Sequence, residues 1–320
     1  MTIHFILSGE TLESISEEIH LENPKYLKEF HNAHCAREDI IHEVLVPGKK
    51  LLVPDISRIR EYNSRNDAAF KHPKLNPEIP FRPENFSRIF SVVNKEIQDD
   101  GLEEKSNTLT YTVSMKWLHT EGNYHLFRIF KNNFSEGNGS MMADLAAESI
   151  RSLNPIEVKT DLKGNVLQVS LPEETLRNFE KIKEKLTDLF PDPYAQTYLD
   201  QFETAVLNQR LFSSRMKEDV FIKTYFAALR NRFENGKSFL RQSVGEENIP
   251  ITVRQQVESP DYGEQMVLIQ DSDPMETDKS FTGKYLLDAE SGMVKEIEIR
   301  SAISLFGVKD SSFFTVKELS

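Results

Sequence analysis

The chain has 320 residues but only one cysteine, Cys35, and one tryptophan, Trp117. A lone cysteine permits no intramolecular disulfide, so the disulfide-stapled secreted scaffolds are excluded. No apolar run approaches the roughly 18–20 residues that a bilayer-spanning helix requires. The chain is therefore not expected to be transmembrane. Met1 to Gly9 carry no Lys or Arg and only a few consecutive apolar residues, which is not the pattern of a secretory signal. As written, the protein is expected in the cytoplasm, or at the envelope by a non-standard export route. Basic charge is also in deficit. With 39 Lys and Arg against 51 Asp and Glu, the net charge is −12. No basic stripe is present, so a nucleic-acid partner is not expected. Gly-x-Ser-x-Gly, P-loop and Gly-x-Gly-x-x-Gly patterns are all missing. Nothing in the chain has the Cys/His or acidic signature of a cell-wall hydrolase. The expectation is a protein without catalytic residues or cofactor.

What is present divides into three stretches. Residues 1–54 form a compact unit. Residues 55–105 are charged and irregular. Pro73, Pro77, Pro80 and Pro83 crowd together there, and prolines at that density oppose helix and central strand alike. This stretch reads as a partly packed linker, with short helices over 58–70 and 83–97. Residues 106–320 form a larger domain. Leu109, Tyr111, Val113, Met115 and Trp117 alternate with polar residues, the period of a strand with one buried face. Gly122-Asn123 marks a turn, and 124–131 the return strand. Gly137-Asn138-Gly139 breaks the chain, and Ser140 can cap a helix running to about Leu153. A hairpin follows around Asp161 to Gly164. Three helices are then expected. The first starts at Pro172 with Leu176, Phe179, Ile182, Leu186 and Leu189 on one face. The second carries Tyr198 and Phe202, and the third Ile222, Phe226, Leu229 and Phe233. Strands return over 249–257, 265–270, 284–287, 293–301 and 312–319. The fold class is α+β, a βααβ module followed by a larger domain with an antiparallel, curved sheet packed on helices.

The first stretch carries a specific pattern. Phe5-Ile6-Leu7-Ser8-Gly9-Glu10-Thr11-Leu12 reads as a short strand, a tight turn and a helix start. Ile15 and Ile19 continue the helix stripe. Leu27, Phe30 and Asn32 sit at the end of a second helix, and Pro47-Gly48-Lys49-Lys50-Leu51-Leu52-Val53-Pro54 closes the unit. In order and spacing this resembles a LysM module, with Glu10 in place of the family's Asp and a longer stretch between Asn32 and Pro47. The resemblance implies recognition of peptidoglycan or another GlcNAc polymer. It places the glycan groove between Ser8, Gly9, Glu10, Thr11 and Leu12 on one wall and Val46, Pro47 and Gly48 on the other. The order of elements in the large domain also looks loosely like the half-barrels of lipoprotein carriers, with a curved sheet around a helical plug.

Other candidate groups are weaker. His31, His34, Cys35 and His42 share one loop and include zinc-ligand types. Their intervals match no known finger, so they read as a polar surface loop and no metal site is assigned. The pairs Asp99-Asp100, Glu103-Glu104 and Glu246-Glu247 read as solvated surface. The aromatic residues of the large domain read as core before they read as a ligand cavity. Two functions follow. The first is a non-enzymatic glycan-binding protein whose large domain presents a second partner- or ligand-binding surface. The second is a structural adaptor in a contractile injection assembly of bacterial secretion or phage-tail type, with the LysM-like module as a docking piece.

Overall fold

A computed structural model describes all residues except 43, 136–139, 245–248, 273–277, 306 and 320. The expected chain break at Gly137-Asn138-Gly139 and the pair Glu246-Glu247 lie outside the described residues. Two compact units are found. One comprises residues 1–76 with 234–236, the other 77–233 with 237–320.

The smaller unit runs β1 (Thr2–Phe5), α1 (Leu12–Glu18), α2 (Pro24–His34), β2 (Lys50–Val53) and α3 (Ile56–Ser64). Thr11 and Ser14 start α1 with a reciprocal capping box: the Thr11 hydroxyl takes the Ser14 N–H at 3.1 Å, and Ser14 Oγ takes the Thr11 N–H at 2.9 Å. Asn23 caps α2 just before Pro24, and Asp55 caps α3. β1 and β2 pair antiparallel, with Phe5 opposite Lys50. Ile6, Ile15, Leu27, Leu51 and Ile59 make the shared core.

The larger unit runs β3 (Ser87–Asp99), β4 (Glu104–Glu121), β5 (Tyr124–Asn132), α4 (Met141–Ser152), β6 (Ile156–Asp161) and β7 (Val166–Ser170). The helices α5 (Glu173–Arg177), α6 (Phe179–Leu189), α7 (Pro193–Leu207), α8 (Gln209–Lys217) and α9 (Val220–Tyr225) follow. The chain ends with β8 (Ser238–Val244), β9 (Ile249–Val257), β10 (Gln265–Ser272), β11 (Lys279–Asp288), β12 (Val294–Leu305) and β13 (Val308–Leu319). These strands form an open antiparallel sheet in the order β7-β6-β5-β4-β3-β13-β12-β11-β10-β9-β8. The α+β class and the large antiparallel sheet are as expected.

Register builds the core directly. Tyr111, Val92, Val316, Ile297, Tyr285, Leu268 and Val257 stand opposite one another in a ladder across seven neighbouring strands. All seven are buried, so one face of the sheet carries the core. The sheet curls at its β8 end. Leu240 and Val244 of β8 pack in one cluster with Phe281 of β11 and Ile303 of β12. The face that holds them is therefore the concave one.

Four expectations need correction. Residues 55–105, read as a linker, instead hold α3, which packs Ile59 into the small unit's core, and β3, a central strand. Tyr62 of α3 stacks on Tyr26 of α2 at 4.6 Å. The prolines mark only the short passage between the units. The helix expected over 83–97 is β3 because Ile89, Val92, Val93 and Ile97 are β-branched and Phe90 and Val92 fall on the buried face. The helix expected from Pro172 to Leu189 breaks at Asn178 into α5 and α6, and the one expected over 222–233 ends at Tyr225. β8 was missed as well.

Candidate functional site

The predicted glycan groove was assembled from two loops, and the structure brings these loops to the same end of the β1–β2 pair. Ile6 O takes the Gly48 N–H at 2.8 Å, and Lys49 O takes the Ile6 N–H at 3.0 Å. Gly9 and Gly48 hold φ of +89° and +83°, the left-handed region that glycine enters without strain. Ser8, Gly9, Thr11, Val46, Pro47 and Gly48 are exposed. Glu10 and Leu12 are half-buried and serve the fold. Glu10 Oε2 takes the Leu7 N–H at 2.7 Å and lies 2.8 Å from His4 Nε2. The bond to His4, then the Leu7 N–H, hold the Glu10 carboxyl below its ordinary range. Leu12 packs against the core.

The long loop after α2 is stitched down. Asn32 donates to Ile41 O at 2.9 Å and takes the Ile41 N–H at 2.8 Å. Lys49 reaches Glu38 O at 2.7 Å. His31 is buried: Nδ1 accepts the Leu52 N–H at 3.0 Å, which leaves Nε2 as the donor to Asp39 O at 2.8 Å. That fixes one neutral tautomer and uses both nitrogens. His34 Nδ1 donates to Phe30 O at 2.7 Å. No group of three or more metal-ligating side chains is found among the described residues. Val44 stays 77 % exposed, and neither wall of the groove carries an aromatic ring.

In the larger unit the concave face changes character along the strands. One step from the apolar ladder, the facing residues are Asn94, Phe314, Ile299, Gly283, Gln270 and Gln255. Gln270 donates to Gln255 Oε1 at 2.8 Å, and Gln255 donates to Leu229 O at 2.8 Å. A side chain at position 283 would meet Gln270 Oε1 at 3.0 Å, so glycine there makes room for the amide pair. The next two steps read Asn107, Glu96, Ser312, Ser301 and then Lys105, Gln98, Asp310, Ile303. A pocket of about 500 Å³ opens on this part of the face. Its apolar wall is Val244, Phe281, Ile299, Ile303 and Phe314, and Val220 and Thr224 of α9 form its floor.

The floor is fixed by buried polar contacts. Asp219 caps α9 through the Ile222 N–H at 3.1 Å and pairs with the buried Lys131 ammonium on β5. Tyr225 donates to Val294 O at 3.1 Å. Just beyond α9, Arg230 donates from Nε to Pro80 O at 2.9 Å, from Nη2 to Gly292 O at 2.5 Å and from Nη1 to Lys163 O at 3.3 Å. Its guanidinium lies 4.4 Å from the Phe81 ring centroid. Burial draws its pKa down to about 10, so it stays charged at neutral pH. Asp99-Asp100 and Glu103-Glu104 are exposed, as expected, and the first pair also shapes the β3–β4 turn: Asp99 takes the Gly101 N–H, and Asp100 takes those of Leu102 and Glu103. Sequence reasoning did not find the pocket. Its one signal was the drift of inward positions of β3 and β4 from Phe90 and Val113 to Glu96 and Lys105, which requires the strand register to be known.

No helix of the described residues is long and apolar enough to cross a membrane. No family model matches the chain, and no curated protein matches it. Solved structures show loose likenesses. A lipovitellin structure concerned with lipid–protein interactions is 12 % identical over 75 % of this chain, with a TM-score of 0.42. The chain spans 25 % of that protein's length. An outer-membrane lipoprotein-sorting protein domain from Vibrio parahaemolyticus is 11 % identical over 73 % of this chain and 86 % of its own, with a TM-score of 0.20. A DUF1329 family protein from Desulfovibrio piger is 12 % identical over 73 % of this chain and 85 % of its own, with a TM-score of 0.22.

Proposed function

We propose that this is a non-enzymatic binding protein. Its larger unit shelters the apolar part of a small amphiphilic ligand between the curved sheet and α9, and its LysM-like unit engages a GlcNAc-type glycan such as peptidoglycan. The observation that carries this reading is the pocket of about 500 Å³ with an apolar wall on the concave face, within the ~300–1,000 Å³ range of small-molecule sites. The direct test is uptake of a neutral apolar dye, N-phenylnaphthylamine, by the full chain. Ser301→Trp places a ring in the pocket without removing core atoms. Saturable dye fluorescence that this variant loses supports the reading, and no uptake by the parent chain refutes it.

For the smaller unit the test is retention of the full chain on insoluble peptidoglycan and on chitin, with Thr11→Arg and Val46→Arg at the two walls. Retention lost in both variants supports glycan recognition. A second reading keeps the LysM-like unit as a docking piece in a contractile injection assembly. It is favoured by the stitched loop after α2 and by walls that offer a sugar no ring to stack on. Absence of retention on either polymer selects it.

A further inference from the structure

The pocket's polar end carries information about what the ligand's head must be. We infer that the pocket selects a single-chain amphiphile with a neutral, hydroxyl-bearing head and rejects one with an anionic head. This rests on the pocket being a ligand site, as proposed above.

Three carboxylates line the pocket, Glu96, Glu218 and Asp310, against two ammonium groups, Lys105 and Lys223. Lys223 is engaged by Glu218 at 3.1 Å, so that pair presents no net charge. Lys105 is shared with Glu103 at 3.5 Å. Glu96 and Asp310 are held by neutral amides, Asn94 at 3.1 Å and Gln98 at 3.0 Å, which orient the carboxylates and leave their charge in place. No arginine is among the described lining residues, so the fork that binds carboxylate or phosphate in two-point fashion is missing. A carboxylate or phosphate head entering here meets like charge from the exposed Glu96 and Asp310 carboxylates at the open end of the pocket, which is discrimination by repulsion. The same end offers Asn107, Ser301 and Ser312, groups that donate and accept without charge. Their partner is a hydroxylated head. The chain bearing it lies along the apolar wall of Val244, Phe281, Ile299 and Ile303.

The test is displacement of bound N-phenylnaphthylamine from the full chain by monooleoylglycerol and by oleate, at pH 8 and below the aggregation threshold of either lipid. The two share one acyl chain and differ in the head. Monooleoylglycerol is expected to displace the dye at a severalfold lower concentration, the scale of repulsion from exposed, partly screened carboxylates. Asp310→Asn and Glu96→Gln, changed together and checked for an unaltered melting temperature, are expected to shrink that ratio severalfold. Glu264→Gln, in the loop between β9 and β10 and outside this pocket, is expected to leave it unchanged. Should the double variant fail to fold, Asp310→Asn alone is read in the same way. Dye uptake followed by equal or preferred displacement by oleate overturns the head-group inference and leaves the pocket standing. Absence of dye uptake overturns the pocket itself.

Discussion

Arg230→Met is expected to loosen the larger unit by about 3 kcal/mol. The side chain joins three separate turns: the carbonyl of Pro80 before β3, that of Lys163 between β6 and β7, and that of Gly292 between β11 and β12. The Lys163 bond is the long one, at an exposed carbonyl, and water replaces it readily. The other two are part-buried bonds from a charged donor, each contributing about 1.5–3 kcal/mol. The ring contact with Phe81 adds about 0.5–2 kcal/mol. Against this stands the desolvation of the guanidinium, which methionine relieves. Its cost shows in the lowered pKa of about 10. The net loss of about 3 kcal/mol corresponds to a fall of about 6–12 °C in melting temperature for a unit of this size. Arg230→Lys keeps the charge but cannot fork to three carbonyls, so it should recover only a small part. Arg241→Met, on the exposed face of β8, serves as the surface control, with an expected change within about 0.5 kcal/mol. Differential scanning calorimetry decides the matter. If Arg230→Met melts within 2 °C of the parent, roughly 0.5–1 kcal/mol, the guanidinium is not the joint described. Because α9 floors the pocket just upstream, the same variant should also weaken dye binding at temperatures where the unit is still folded.

Three further outcomes follow from the geometry. Gly292→Ala should cost more than about 3 kcal/mol by urea unfolding, since the new Cβ would lie 1.9 Å from Pro80 O and the residue sits at φ +69°; Gly122→Ala, at φ +57° with nothing within 4 Å, should cost only about 1–2 kcal/mol. His125 accepts at Nδ1 from Trp117 Nε1 at 3.3 Å and lies 2.9 Å from Thr120 Oγ1. Its pKa is lowered by burial, with Glu84 and Asp161 acting weakly the other way. A lowered histidine pKa means that the unfolded chain takes the proton first. Stability is then lost as pH falls below the ordinary value of 6.5, and His125→Gln should flatten that acid limb in a series of melts from pH 7.5 to 5; an unchanged slope counts against the assignment. His31→Leu strands the Leu52 N–H and the Asp39 carbonyl and should cost about 2–4 kcal/mol, read from the denaturation midpoint; a change under about 0.5 kcal/mol would show that water replaces both bonds.

Legibility in the sequence followed the range of the interactions that decide each feature. The βααβ order of the small unit was readable because short-range signals fix it: Gly9 and Pro47-Gly48 at turns, and the stripe of Leu12, Ile15 and Ile19 on the first helix; the second helix runs past Asn32 to His34. β4, β5 and the hairpin around Asp161 were readable for the same reason. β3 was not. Asn94, Glu96 and Gln98 take the inward positions toward its C-terminal end, and only the neighbouring strands show why polar groups are tolerated on an inward face there. The break at Asn178 and the early end of α9 also escaped, because apolar spacing continues through both and packing, not propensity, stops the helix. His31, His34, Cys35 and His42 read as one polar surface loop, but His31 and His34 lie on α2 and His31 is buried, because its two ring nitrogens serve backbone groups far apart in sequence.

The pocket belongs to this last class. It exists because β3, from the beginning of the larger unit, lies beside β13, from its end, with Asn94 opposite Phe314 and Gln98 opposite Asp310. Neither strand alone carries a binding signature. β3 contributes amides and a carboxylate that would be ordinary surface on an edge strand, and β13 contributes Ser311 and Ser312 just before Phe313 and Phe314. Pairing places the polar ends of both on the concave face, where β8 curls over and its Val244 faces Ile303 and Phe281. Polar residues at inward positions of a central strand destabilise a sheet unless they are hydrogen-bonded or wet. Here the amides of Asn94 and Gln98 are spent on Glu96 and Asp310, and the cavity itself admits water or a ligand head. Glu96, Gln98, Asn107 and Asp310 are exposed, so this end of the concave face is open to water, and the polar residues there set which head the proposed ligand site would accept.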